Sequence, residues 1–293
     1  MDPKRMKRFK NDLIKVIPMT PNDINTKNEL ESESISSVLL YYINWAARLI
    51  KPKPRQVIYD KILENNPNWI KYKNEIQALI NKVEKGEDLY PHLSLRVASK
   101  GYTAKSRIEE TDNCWEDKDF ILNVMGFHHF HLDNTNVINN GFLGRTNHVI
   151  FAKVQKDTFE IIGIFDHQVF ESDTTSDQLN IERQKMWDLC DKHSSIPLAN
   201  NPNGMIVMNR PITLSGNSVS TIRMVQNYMH VVKEIDPKID TDEYVNLLYK
   251  EVSLPKPKKH KLKWAMNYMD LGLVDSSKNF FLFRHGDEIY NLL

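Results

Sequence analysis

Three short strand-forming segments follow one another near the middle of the chain, and they restrict the fold more than any other feature. Phe127–Leu132, His148–Val154 and Phe159–Phe165 are rich in β-branched and aromatic residues. Lys156-Asp157 leaves room only for a tight connection, so the second and third segments must pair antiparallel. Asn134 to Gly144 reads as a loop, with Asn139-Asn140-Gly141 as its turn. A meander of this kind is stable only when helices cover it.

The flanking sequence supplies helices. Ile35, Val38, Leu39, Tyr42, Ile43, Ala46, Leu49 and Ile50 recur at three- and four-residue spacing, which predicts an amphipathic helix over 34–50. The Lys51-Pro52-Lys53-Pro54-Arg55 run ends it, because proline cannot continue a helix. A second helix is expected over 69–83, stopped at Gly86, and a short one over 115–125. Further helices are expected over 177–193, 218–235 and 241–252, the first with Asp173 and Asp177 in its N-cap region. Pro255 to Lys259 reads as a linker, followed by strands at Leu262–Met269 and Phe280–Arg284 around a turn at Asp275–Asn279.

The expected fold class is therefore α+β: a small central antiparallel sheet packed against helices, a helical N-terminal region, and C-terminal helices plus a β-hairpin. The expected division is a mobile polar arm over 1–33, a helical region over 34–115, a central catalytic-like α+β unit over 116–195 and a C-terminal extension over 196–293.

A net charge of +1 removes any global field that would advertise nucleic-acid binding, so such binding must use local patches. Lys4 to Lys15 and Lys256 to Lys263 are the candidate patches, although lysines more often mark solvated loops. Cys114 and Cys190 form no C-x-x-C pair or disulfide framework, which fits a reducing compartment. No signal-peptide core and no apolar run of about 18 residues occurs, so a cytoplasmic protein with no membrane role is expected. Tyr41, Tyr42, Trp45, Met186 and Trp187 sit at helical spacing and read as core. P-loop, Rossmann, zincin and serine-hydrolase motifs are missing.

The chemistry is concentrated in the meander. In Gly126-Phe127-His128-His129-Phe130-His131-Leu132, alternation puts His129 and His131 on one face and His128, Phe130 and Leu132 on the other. Arg145 and His148 follow in Arg145-Thr146-Asn147-His148, and the third segment ends in Asp166-His167. Imidazoles titrate near neutral pH, move protons and bind metals.

Two chemistries fit. In metal-free RNA cleavage, one imidazole takes the 2′-hydroxyl proton and another protonates the leaving 5′-oxygen. Arg145, Lys153 or His148 would then hold the phosphate. Alternatively, His129 and His131 form an H-x-H chelate for zinc or another divalent metal, completed by Asp166, His148 or His167. A third reading is a non-catalytic interaction subunit of a defence or regulatory complex, in which these histidines pack or sense pH.

The stretch from Gly126 to Phe170 resembles the RelE/ParE/HigB-like superfamily of bacterial ribonuclease toxins. His129-Phe130-His131 stands in place of that family's basic alternating strand, His148-Val149-Ile150-Phe151 in place of its second strand, and Ile161 to His167 in place of its third strand with a terminal histidine. Histidines occupy positions where arginine or lysine is usual. The G-x-H-H-x-H-L stretch is also similar to bacterial proteins of no assigned activity. The toxin resemblance implies a toxin, toxin–antitoxin or phage-defence (abortive infection) endoribonuclease without a cofactor. RNA would be its substrate, a ribosome or antitoxin its partner, His129, His131 and His167 its catalytic residues, and Arg145 its phosphate ligand.

Overall fold

A computed structural model of the chain describes residues 2–133, 141–171, 179–199 and 210–286. The fold is α+β with small sheets, as the segment pattern predicts. It divides into two units built from interleaved segments. One comprises Met1–Ala47, Arg96–Lys118 and Thr213–Leu293; the other comprises Arg48–Leu95 and Asp119–Ile212. The four successive regions expected from the sequence do not coincide with these units, because contacts between distant segments, not neighbours in the chain, define each core.

The unit that begins at Arg48 holds the meander. His128–His131, His148–Val154 and Thr158–Asp166 are antiparallel neighbours. His129 lies opposite Phe151, and His131 opposite Val149, which in turn faces Phe165. A bulge at Phe151/Ala152 leaves Ile162 without a cross-strand partner in the ladder. The sheet is not wholly antiparallel: Gln56–Tyr59 adds to its other edge, parallel to Thr158–Asp166. This strand lies just past the proline run. Its four residues alternate exposed and half-buried, with Val57 and Tyr59 on the covered face, a run too short to stand out by periodicity. It is positioned by Arg55, whose guanidinium donates to the carbonyls of Lys51 and Gln155.

Helices in this unit follow their capping residues. The helix expected over 69–83 is two, Pro67–Lys71 and Lys73–Lys85, separated at Tyr72 (φ −107°, ψ 26°). Gly86 ends the second in the left-handed conformation. The short helix before the histidine strand starts only at Phe120, because Asp119 accepts a hydrogen bond from the Leu122 amide as its N-cap. Gly126 closes it at φ +77°, where a Cβ would collide with the Arg210 guanidinium. Ile181–Ala199 buries Met186 and Cys190 in a cluster with Phe127, Val149, Phe151 and Phe165. The proposed N-cap at Asp173 and Asp177 and the turn at Asn139-Asn140 lie outside the described residues.

In the other unit, the expected mobile arm is two helices. Pro3–Ile14 is capped by Asp2 and buries Phe9, Leu13 and Ile14; Ile24–Ser32 is capped by Asp23 and buries Leu30. Their apolar residues are few but lie on one helical face, and the surrounding charge hid them. The charge also has structural uses: Arg5 Nε lies 3.0 Å from the fully buried carboxylate of Asp236, which accepts from Trp264 Nε1 at 3.0 Å. Ile35–Ala46 and Val219–Ile235 supply the centre of this core, including Tyr42 and Tyr228. The C-terminal hairpin is a three-stranded sheet, Lys263–Asn267, Asp270–Val274 and Phe280–Arg284. The middle strand was missed because Gly272 breaks its apolar run and Tyr268 turns at φ +53°, a conformation unusual outside glycine. The turn at Asp275 is as expected: its carboxylate accepts from the amides of Ser277 and Asn279.

Among the described residues, no helix is long and apolar enough to cross a membrane.

Candidate active site

The strand His128–His131 lies at an edge of its sheet, and its last carbonyl is protected by a buried side chain. His92 is fully buried and donates from Nδ1 to the His131 carbonyl at 2.9 Å, while Lys82 donates to His92 Nε2 at 3.1 Å. These contacts fix the His92 tautomer. Burial, with the Lys82 charge beside it, pushes the His92 imidazole down to about 4, so it is neutral at neutral pH.

On the face shared by His129 and His131, the structure brings three of the expected residues together. The His129 and His131 rings are 5.9 Å apart and nearly perpendicular. His167 begins the short 3-10 turn His167–Phe170 after the third strand, and its ring stacks on His131 at 5.5 Å with 25° between planes. Phe170 covers the group, 4.9 Å from His129 and 5.8 Å from His167, and Phe151 forms the floor 5.8 Å from His129. The His167 amide donates to the Asn147 carbonyl, which ties this turn to the segment carrying Arg145. Arg145 is exposed at the rim.

The three imidazoles differ in environment. His131 is 3% exposed, and among the described residues its Nδ1 has no hydrogen-bond partner. Burial, followed by the nearby His129, Arg145, His167 and His92, drives it down to about 3. It therefore stays neutral wherever the protein works near neutral pH, and it is unsuited to deliver a proton. His129 Nδ1 faces Asp119 Oδ2 at 3.7 Å. His167 is half-buried and next to the rim.

Three other expected residues fall elsewhere. His148 pairs with Asp166 across the sheet, in line with Ile150 and Phe130, so it points to the opposite face and meets Tyr72 at 5.1 Å. Burial lowers its pKa, with Lys71 adding to the effect and Asp166 opposing it. Asp166 caps the His167–Phe170 turn by accepting from the Gln168 amide at 2.8 Å, on the side away from His131. Lys153 is further along the histidine face, opposite Glu160, and its charge acts on His193. The set imagined as converging from alternation alone is thus cut to His129, His131 and His167, with Arg145 near.

Asp166 of the His129, His131, Asp166 chelate pairs with His148, on the other face of the sheet. Among the described residues, no three His, Cys, Asp or Glu side chains are arranged to hold a metal ion. The surroundings of the three rings are largely aromatic.

Sequence reasoning missed Asp119, His92 and Phe170. Asp119 is legible as a helix cap but not as a neighbour of His129, because the Gly126 turn that folds the strand back past it is a tertiary feature. No motif marks His92, which is 39 residues from its partner His131. No protein-family model matches the chain, and neither curated proteins nor solved structures give a match.

Proposed function

We propose that the chain is an endoribonuclease that cleaves RNA by metal-independent acid–base chemistry at the His129–His131–His167 group. The observation that carries this reading is the placement of two half-buried imidazoles, His129 and His167, on either side of a third that is held neutral. His129 takes the proton of a ribose 2′-hydroxyl, and the 2′-oxygen attacks the adjacent phosphorus. His167 delivers a proton to the departing 5′-oxygen, giving a 2′,3′-cyclic phosphate and a free 5′-hydroxyl. Arg145 balances charge on the phosphorane. His131 supports both rings without titrating. Each proton transfer of this kind is worth roughly 10²–10⁴-fold, and a fixed cation aimed at the developing charge adds to it. A toxin or phage-defence setting, with an antitoxin or ribosome as partner, follows from the resemblance alone and belongs to the same proposal.

The test is cleavage of total RNA by purified protein and by His129→Ala and His167→Ala, with circular dichroism to check folding. Folded variants that lose cleavage at least a hundredfold support the reading. Folded variants that cleave like the parent overturn it.

A further inference from the structure

Resting on the ribonuclease reading for its choice of partner, we infer that the outward face of the helix Pro3–Ile14 grips the sugar–phosphate backbone of RNA through Lys4, Lys7 and Arg8. Lys4, Arg5, Lys7, Arg8, Lys10 and Lys15 stand in this short stretch against only two acids, Asp2 and Asp12. The nearby carboxylates are already engaged. Asp2 caps the helix on the Lys4 amide, and Asp12 pairs with Lys15 at 2.9 Å. Arg5 takes the buried Asp236 at 3.0 Å and Asp240 at 2.6 Å. Lys10 turns aside and donates to the Glu31 carbonyl. Lys4, Lys7 and Arg8 are exposed, and among the described residues none of them pairs with a carboxylate.

These three cations are neighbours at three- and four-residue spacing, on the side of the helix away from Phe9 and Leu13, which are buried. The arrangement works against the helix twice. Like charges at that spacing repel, and cations near the first turn, which holds no acidic residue, sit at the positive end of the helix dipole. The Asp2 cap and the buried apolar face hold the helix together in spite of this. A polyanion laid across the face relieves both conflicts, whereas water alone only screens them. Local rules broken without a structural gain mark functional surfaces.

The fold also brings the second basic segment to this place. Trp264 Nε1 donates at 3.0 Å to the same Asp236 oxygen that Arg5 Nε approaches. The strand Lys263–Asn267 therefore starts beside the first turn of the helix, and Lys258, Lys259 and Lys261 are exposed in the segment that leads into it. The apolar face of the helix is spent on the protein core, so the helix cannot lie in a lipid surface by that face. Its exposed residues, Lys4, Lys7, Arg8, Asn11 and Lys15, include no aromatic ring on which a base would stack. Binding here reads phosphates and not bases, so it depends on salt and is indifferent to sequence.

The experiment compares the full chain with the combined variant Lys4→Gln, Lys7→Gln, Arg8→Gln and with a control, Lys85→Gln, Lys250→Gln, Lys278→Gln, which loses the same charge at exposed positions elsewhere. Glutamine keeps helix propensity, so both should melt like the parent. Binding is read by fluorescence anisotropy with a labelled 2′-O-methyl oligouridylate, which the proposed chemistry cannot cut. Each phosphate contact on a single strand contributes about 0.7 to the slope of log affinity against log salt. The helix variant should therefore lose about 2 from that slope and bind about a hundredfold more weakly at about 0.1 M salt. Lys7→Gln or Arg8→Gln alone should lose about 0.7 from the slope, and the control should keep the parent's slope. In RNA cleavage, KM should rise in the helix variant with kcat kept.

A helix variant with the parent's slope overturns the inference, as does a control that loses as much as the helix variant. A parent that sediments with phosphatidylserine vesicles and leaves the oligonucleotide unbound overturns it in favour of a membrane surface. A parent that binds through the helix but cleaves no RNA keeps this inference and removes the ribonuclease reading. A parent that cleaves RNA with KM and slope untouched by the helix variant does the reverse.

Discussion

The imidazole of His131 stacks on that of His167 at 5.5 Å, with 25° between the ring planes. The contact joins a buried strand residue to a residue at the rim, so it can be tested by keeping the ring and changing its chemistry. Phenylalanine preserves the stack and removes the titratable nitrogens. We expect His131→Phe to retain cleavage within about tenfold, since a residue that never protonates near neutral pH contributes packing and not a proton. His131→Ala should lose both the stack and about 1–3 kcal/mol of stability. Urea denaturation and initial cleavage rates on both variants check this; loss of all activity in a folded His131→Phe would make His131 a proton carrier instead.

Two buried histidines held neutral make the unit acid-sensitive. His92 and His131 titrate at about 4 and about 3 in the folded state, against an ordinary 6.5. Between those values the unfolded chain binds more protons than the folded one, so the stability they contribute is present above about 6.5 and is lost as pH falls toward the folded values. Each histidine costs up to about 1.4 kcal/mol per pH unit in that window. Thermal melts from pH 7.5 to 4.5 should show a falling midpoint, less steep in His131→Phe. Identical slopes would remove His131 from the account.

Phe151 is fully buried and forms the floor beneath His129. Truncation to alanine removes a ring at the centre of its cluster and should cost about 3–5 kcal/mol. Because the floor positions His129, cleavage by the folded fraction should fall too. Leucine at the same position should recover most of the stability and less of the activity, by denaturation and rate measurements on the same samples.

In the other unit, Asp236 is fully buried and accepts from Trp264 Nε1 and the Asp2 amide, with Arg5 Nε at 3.0 Å. Asp236→Ala strands the cation and both donors, and should destabilise by about 3–5 kcal/mol. Arg5→Met leaves the acid its two donors and should cost less. Denaturant midpoints of the two variants decide the order.

Much of this was legible from spacing. Ser218 and the run after it announced the helix Val219–Ile235, and the three strands of the meander fall where alternating and β-branched residues put them. The face shared by His129 and His131 also follows from strand period alone. What alternation could not supply was register and closure. The pairing of His148 with Asp166 turns that histidine away from the group, and only the ladder fixes it. Asp119 and Phe170 enter through a turn and a 3-10 segment, whose positions depend on packing between segments far apart in the chain. The arm over 1–33 was misread because Phe9, Leu13 and Leu30 are sparse among charges, yet each is buried.

The most direct measurement of the central claim is the product of a short RNA incubated with the protein in excess EDTA, beside the same oligonucleotide with a 2′-deoxyribose at the cleaved position. The account predicts a 2′,3′-cyclic phosphate from the RNA, undiminished by chelator, and no cleavage at the deoxy position. Cleavage that disappears with EDTA, or that proceeds at the deoxy position, would contradict it.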